Sequence, residues 1–470
     1  MKPPVAAPAA DGGDGAACWG TLPGDILGEV FSWLDEEDVE GRPVARASAG
    51  RSTSSSAADK RSTAAAVRRV CAAWRAAHRD AVTHLAPSSA GGLNLAQFPN
   101  LRCLSLRACG RRGDGSPPQA ALRVLPSLRH LTSLDLAGAS LLNDAMLAAL
   151  AGGLPRLRHL VLDRCDRVSD RGLTSLAPLT ALETLSLAAC CQVGNAGVAA
   201  VAALPALTDL DLSRLKAIDN RAVASLAQHG TPLARLTLAW NRELTNGIVD
   251  SLLDLPTLTA LQLTRLREVT SGGVAFLAAL PALRTLSLQW CDCIDGSQFE
   301  GFAPLRALSL SWSDNIIDFG LESIGTLGAL RSLDLANCAK ITDHGIAALA
   351  GLTSLRALNL SYCRLLTDAS CSRLARLPAL ESLLLDAVYR LTDRGLRALA
   401  AAPRLAYLSL GECSDVSTRA MDRLTAARPG LRLDLGLKSD CAAHFASLLL
   451  GDGETEDAAE PKARRRPKPC

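Results

Sequence analysis

Cysteine is the residue through which this chain would most plainly do chemistry. Of its 15 cysteines, seven recur in one register: Cys109, Cys165, Cys190, Cys291, Cys338, Cys363 and Cys413. Thiolates bind soft metals and attack electrophiles, so a metal-binding role is the first to weigh. A shared register explains their positions, and metal-ligand spacing does not. Register therefore reads them as buried fillers of a recurring turn, a role that suits free cysteine. Cys291 and Cys293 form only C-x-C, too little for zinc, and no metal site is expected. The seven histidines (His78, His84, His130, His159, His229, His344 and His444) are scattered, and none joins a nucleophile or metal motif. His159 and Asp163 read as polar surface rather than an acid–base dyad. No Walker loop or dinucleotide fingerprint is present, so no cofactor and no catalysis are expected.

The second candidate chemistry is recognition. Reading every eighth position of the repeat gives Arg214, Trp240, Arg265, Trp290, Trp312, Asn337 and Tyr362. Aromatic and arginine clusters are typical binding hot spots. Around them, at positions expected to be exposed on a concave face, stand Asp209, Asp211, Arg235, Gln262, Gln289, Asp334 and Asn359. Neighbouring strands lie about 4.8 Å apart, which sets Trp290 and Trp312 side by side. Two readings are open: a protein-binding surface, or bulky side chains packing across their neighbours' loops.

The elements that position these residues follow from a period of about 25 residues. The unit is L-x-x-L-x-L-x-x-C, then I/V/L-T/S-D-x-G-L, clearest at Leu330, Leu333, Leu335, Cys338, Ile341, Thr342, Asp343, Gly345 and Ile346. Fourteen units begin at positions from Leu101 to Gly430. Alternation at Leu333 and Leu335 makes a short strand. Thr342 is placed to cap a helix, and Asp343 suits the positive end of its dipole. Ile346, Leu349 and Leu352 give that helix one apolar stripe. A unit this small cannot bury its own face, so units must stack. The expected fold is an α/β solenoid with a concave parallel sheet and convex helices. The unit at Leu283 is three residues short and carries Gly296, Gly301 and Pro304 where others carry a helix, so the convex side should be thin there. RRGDGSPPQ, between the first two units, reads as a surface loop. These motifs resemble the cysteine-containing leucine-rich repeats over roughly residues 99–440.

Composition agrees. Hydrophobic residues are 48% of the 470 but aromatics only 3%, as aliphatic repeat stacks require. Fifty basic against 47 acidic residues give +3, too balanced for an electrostatic nucleic-acid binder. No run of about 18 apolar residues appears, so no membrane span is expected. The first residues lack the apolar core of a secretory signal. The cysteines then read as thiols of a reducing compartment, cytoplasmic or nuclear.

Ahead of the repeats, WGTLPGDILGEVFSWL spaces Leu22, Ile26, Leu27, Val30, Phe31 and Leu34 as a helical stripe, and AVRRVCAAWRAAH does the same with Val67, Val70, Cys71 and Trp74. Two such helices bury too little surface alone. Together, L-P-x-D-I-L-x-x-V-F-x-x-L and V-C-x-x-W-R resemble an F-box. The resemblance implies docking on a Skp-type adaptor and through it a cullin, with Leu22, Pro23, Ile26, Leu27, Phe31, Leu34, Val70, Cys71 and Trp74 as contacts. F-box plus leucine-rich repeats implies a substrate-recognition subunit of a ubiquitin ligase, binding a protein substrate through Arg214, Arg235, Trp240, Arg265, Trp290, Trp312, Asn337 and Tyr362. A scaffold without ubiquitin transfer is the alternative, and a small-ligand receptor ranks behind it. The domain reading is a disordered start (1–18), an F-box-like segment (19–86) with a Ser/Ala/Arg-rich insertion at about 40–66, the solenoid (99–440) and a disordered tail (451–470). In that tail KARRRPK is an import signal or a solvated basic stretch.

Overall fold

A computed structural model of the chain describes residues 82–86, 95–98, 100–107, 117 and 119–435. The F-box-like residues Leu22 to Trp74, Cys109 and the basic tail lie outside the described residues. So does the RRGDGSPPQ stretch, apart from Pro117 and Gln119, the latter opening the helix Gln119–Val124.

Alternating leucines dictate three-residue strands. In Ser332–Asp334, Leu333 turns inward and is fully buried between Leu330 and Leu335. Fifteen such strands form one parallel sheet in sequential order, from β1 (His84–Leu85) and β2 (Cys103–Ser105) through β9 (Thr285–Ser287) and β10 (Ala307–Ser309) to β15 (Arg432–Asp434). Register is uniform: Leu308 pairs with Leu333, Leu333 with Leu358, Leu358 with Leu383 and Leu383 with Leu408. β1 adds a strand ahead of the fourteen units read from the sequence. His84 and Leu85, assigned there to the front helices, instead pair with Cys103 and Leu104. Two residues without a repeat signature carry no periodic signal; backbone pairing places them.

Short helices return the chain between strands, as in Asp343–Ala348 and Asp368–Leu374. One continuous core runs from Leu95 to Leu431. No helix lies between β9 and β10, as expected of the short unit. Phe299 and Phe302 fill the space instead, both buried, with ring centroids 5.7 Å apart. Among the described residues no helix is long and apolar enough to cross a membrane.

Thr342 caps its helix, its hydroxyl accepting from the His344 N–H at 3.2 Å. The following aspartate reaches further than a dipole argument requires. Asp343 accepts from the Thr367 N–H (3.0 Å), the Thr367 hydroxyl (2.7 Å) and the Ser370 hydroxyl, all in the next unit. Partial burial works against its ionisation, and these hydrogen bonds outweigh it, holding the carboxyl below its ordinary range. Asp318 holds Thr342, Asp368 holds Thr392 and Asp393 holds Ser417 in the same way. The aspartate at the start of each of these helices thus ties it to the next unit. The chain is an α/β solenoid of leucine-rich repeats.

Candidate functional site

The candidate site is built by the turn after each strand. Its eighth residue has a left-handed backbone: Arg214, Trp240, Arg265, Trp290, Trp312, Asn337 and Tyr362 have φ between 56° and 65°, as do Arg164, Ala189, Ala387 and Glu412. For residues with a Cβ this conformation costs about 1–2 kcal/mol. Each turn is compensated by a hydrogen bond to the next unit: Trp240 N–H donates to Thr264 O (2.9 Å), Arg265 to Gln289 (2.8 Å), Trp290 to Ser311 (3.0 Å) and Trp312 to Ala336 (2.8 Å). The row therefore stands on a fixed backbone, past the strand ends, on the rim of the sheet rather than its concave floor. The alternating pattern did not distinguish rim from floor, because the chain leaves the strand two residues earlier.

On that rim the flat side chains stack. The Arg214 guanidinium lies 4.5 Å from the Trp240 ring centre, and Arg265 covers Trp240 at 4.2 Å and Trp290 at 5.4 Å. Trp290 and Trp312 follow with centroids 4.5 Å apart and planes within 8°. All three tryptophans keep over a third of their surface in solvent (38%, 37% and 41%). Cation–π contacts at such sites are worth about 0.5–1 kcal/mol each. Both expected features therefore coexist, packing across neighbours and exposed aromatic surface.

Beside Trp290 and Trp312 the rim holds a groove of about 340 Å³. Arg265 and Asn337, from the eighth positions, line it, and so do Arg267, Asp292 and Asp314, which the eighth-position reading did not include. They are the tenth positions of their units, and reading that column as well would have found them. Tyr362 is half-buried further along the rim. Arg235 stands apart on a strand, paired with Asp209 at 2.8 Å.

Two polar positions depart from the exposed setting expected of them. Asp334 and Asn359 are buried. Each side chain folds back on its own turn, Asp334 accepting from the Ala336 N–H (3.2 Å) and Asn359 from the Ser361 N–H (3.1 Å), and Asp334 also accepts from the Ser309 hydroxyl of the neighbouring strand (3.0 Å). Burial raises the Asp334 carboxyl above its ordinary value against the pull of these bonds. His159 contacts Thr184 at 3.1 Å, while Asp163 accepts from Ser186 and lies 3.8 Å from Arg107.

The six ninth-position cysteines among the described residues are buried, each with its thiol donating to a main-chain carbonyl of the preceding unit: Cys165 to Leu136 (3.4 Å), Cys190 to Leu162 (3.0 Å), Cys291 to Leu263 (3.4 Å), Cys338 to Leu310 (3.3 Å), Cys363 to Leu335 (3.2 Å) and Cys413 to Leu385 (3.1 Å). Asn241 and Ser313 take the same register and make the same bond, to Leu212 and Leu288. What recurs is a side-chain donor to that carbonyl. Among the described residues no three of His, Cys, Asp and Glu are grouped to hold a metal. Burial pushes the Cys165, Cys190 and Cys363 thiols up to about 12 and Cys291 to about 11. Iodoacetamide at neutral pH should therefore label the exposed Cys191 and Cys293 and spare Cys165, Cys190, Cys291, Cys338, Cys363, Cys371 and Cys413 until the chain is unfolded. Peptide mass spectrometry reads the pattern; native labelling of Cys363 would contradict the buried-donor role.

A family model described as "Leucine Rich repeat" matches residues 330–350 and 351–375. Among solved structures, a chain of the yeast Rad7 and Elc1 complex aligns with a TM-score of 0.53 at 20% identity, over 81% of this chain and 98% of that one. An internalin (inlF) from Listeria monocytogenes aligns with a TM-score of 0.46 at 18% identity, over 69% of this chain and 96% of that one. The Rad7–Elc1 likeness is one of fold, and the fold is of a kind that generally serves as a protein-interaction scaffold.

Proposed function

We propose that this chain is the non-catalytic substrate-recognition subunit of a cullin-based ubiquitin ligase, working in the cytoplasm or nucleus. The observation that carries the reading is the pairing, in one chain, of the front L-P-x-D-I-L and V-C-x-x-W-R motifs with a solenoid whose rim presents a stacked Arg–Trp row. Leu22, Pro23, Ile26, Leu27, Phe31, Leu34, Val70, Cys71 and Trp74 dock the Skp-type adaptor. Arg214, Trp240, Arg265, Trp290, Trp312, Asn337 and Tyr362, with Arg235 on the sheet, hold the protein substrate. The yeast chain of similar fold occurs in a two-protein complex, and this chain likewise acts with a second protein bound. Its part is positional. Holding a substrate lysine near the charged enzyme raises the transfer rate by proximity, which needs a rigid frame and no reactive group.

The test is co-purification of the full chain with a Skp-type adaptor and cullin, beside the Leu22→Ala/Pro23→Ala/Trp74→Ala variant, with folding checked by circular dichroism. Wild type should retain the adaptor and the variant lose it. If wild type retains none, the ligase reading falls. A leucine-rich scaffold without ubiquitin transfer then takes its place, a reading favoured by the Ser/Ala/Arg-rich stretch that parts the two front motifs.

A further inference from the structure

We infer that the rim groove beside Trp290 and Trp312 takes an extended peptide segment of the partner protein, carrying an acidic and a basic side chain three residues apart. The inference rests on the rim being the substrate surface, and it specifies the chemistry that surface selects.

The stack runs Arg214, Trp240, Arg265, Trp290, Trp312, and its alternation stops where the two tryptophans meet. Trp240 has a guanidinium on each side, at 4.5 and 4.2 Å, and Trp290 lies between Arg265 and Trp312. Trp312 is covered by Trp290 on one face. Among the described residues no other ring and no cation stacks on it, and Trp312 and Asn337 both line the groove. An indole face attracts a cation. The carboxylates of Asp292 and Asp314 line the same groove, and neither joins an ion pair among the described residues. A lysine or arginine side chain entering there stacks on Trp312 as the next rung and meets the charge it needs.

The opposite end of the groove has the opposite sign. Arg267 lines it and is exposed, and Arg242, one unit further back, is exposed at the equivalent position. Neither joins an ion pair among the described residues. A carboxylate is favoured at this end. Arg267 and Asp314 are two units apart, roughly 10 Å at about 4.8 Å per strand, and an extended peptide covers that in about three residues at about 3.3 Å each. The tryptophan edges between them offer an apolar floor for the intervening residues. Aromatic rows also stack nucleic-acid bases, but Asp292 and Asp314 would face the phosphates there, which disfavours that occupant.

A random twelve-residue peptide library displayed on phage, selected on the full chain, tests the assignment. Two variants serve as controls: Asp292→Asn/Asp314→Asn, and Trp312→Asn, which keeps the left-handed turn because asparagine tolerates it and Asn337 already occupies one. Circular dichroism checks that both are folded. Wild type should enrich peptides with an acidic and a basic residue at i and i+3, and a synthetic winner should bind each variant at least tenfold more weakly. Enrichment that depends on Trp312 but lacks the charge pair would overturn the inference and leave the rim as a binding surface. Enrichment indifferent to both variants, or none at all, would remove the rim reading as well. Saturable fluorescence quenching by a single-stranded oligothymidylate, lost in Trp312→Asn, would replace the peptide with nucleic acid.

Discussion

Gly345→Val should destabilise the solenoid by about 1–3 kcal/mol, the usual result of forcing extra carbons into a filled site, and by more than Gly345→Ser, which should cost under about 1 kcal/mol. The reason is the aspartate ladder. A Cβ on Gly345 would collide with the Asp318 carboxylate and approach the Leu321 side chain to 2.8 Å. Asp318 cannot simply move away, since it holds both the backbone and the hydroxyl of Thr342. Gly172, Gly197 and Gly395 are confined in the same way by Asp144, Asp170 and Asp368. One unit carries its own solution. At the equivalent position Ser370 turns its hydroxyl onto Asp343, converting the close approach into a hydrogen bond. Serine is also the better helix former, by a few tenths of a kcal/mol. Thermal melts, with hydrogen exchange at residues 343–348 to localise the opening, check the pair. Equal tolerance of valine and serine would show that the carboxylate does not confine this position.

Stability should fall steeply above pH 9, through the buried thiols. The ordinary cysteine value is 9.0, and burial raises Cys363 and Cys371 to about 12 and Cys413 to about 11. Below pH 9 both folded and unfolded chains hold these protons, so the contribution is fully present. Above pH 9 the unfolded chain releases them while the folded chain keeps them, which favours unfolding by about 1.4 kcal/mol per pH unit for each such thiol. For Cys363 the loss is on the order of 4 kcal/mol by pH 12. Cys363→Ser isolates the effect. Serine retains a donor for the Leu335 carbonyl, as Ser313 does for Leu288 at 3.3 Å, and does not titrate in this range. Its midpoint should decline less between pH 9 and pH 11 than that of wild type. Parallel curves would assign the alkaline loss to other groups.

How much of this was legible in advance divides by distance along the chain. The strand at Leu333 and Leu335, the cap at Thr342 and the missing helix after Leu283 arise within single units, where side-chain pattern and backbone preference act directly. The adjacency of Trp290 and Trp312 also followed, because one known spacing separates equal positions of neighbouring units. Asp334 and Asn359 are buried where the pattern predicts exposure. A polar side chain on an alternating strand can face solvent or fold back onto its own turn, and alternation describes both. The charges at Arg267, Asp292 and Asp314 went unnoticed because they stand two residues past the column being read.

The sequence by itself determined a stack of leucine-rich units of about 25 residues, because periodic leucines have one way to leave water: each unit covers the next. The recurrence of cysteine once per unit in one register also read as a small residue filling a turn, which suits free cysteine. Only the tertiary structure decided that the Arg–Trp row stands on the rim with left-handed backbones, that its rings and guanidinium groups stack face to face, and that a groove with charges of both signs opens beside Trp312. Those features depend on the angle between successive units and on hydrogen bonds between residues some 20–25 positions apart. No single repeat contains that information; it exists only once the repeats are stacked.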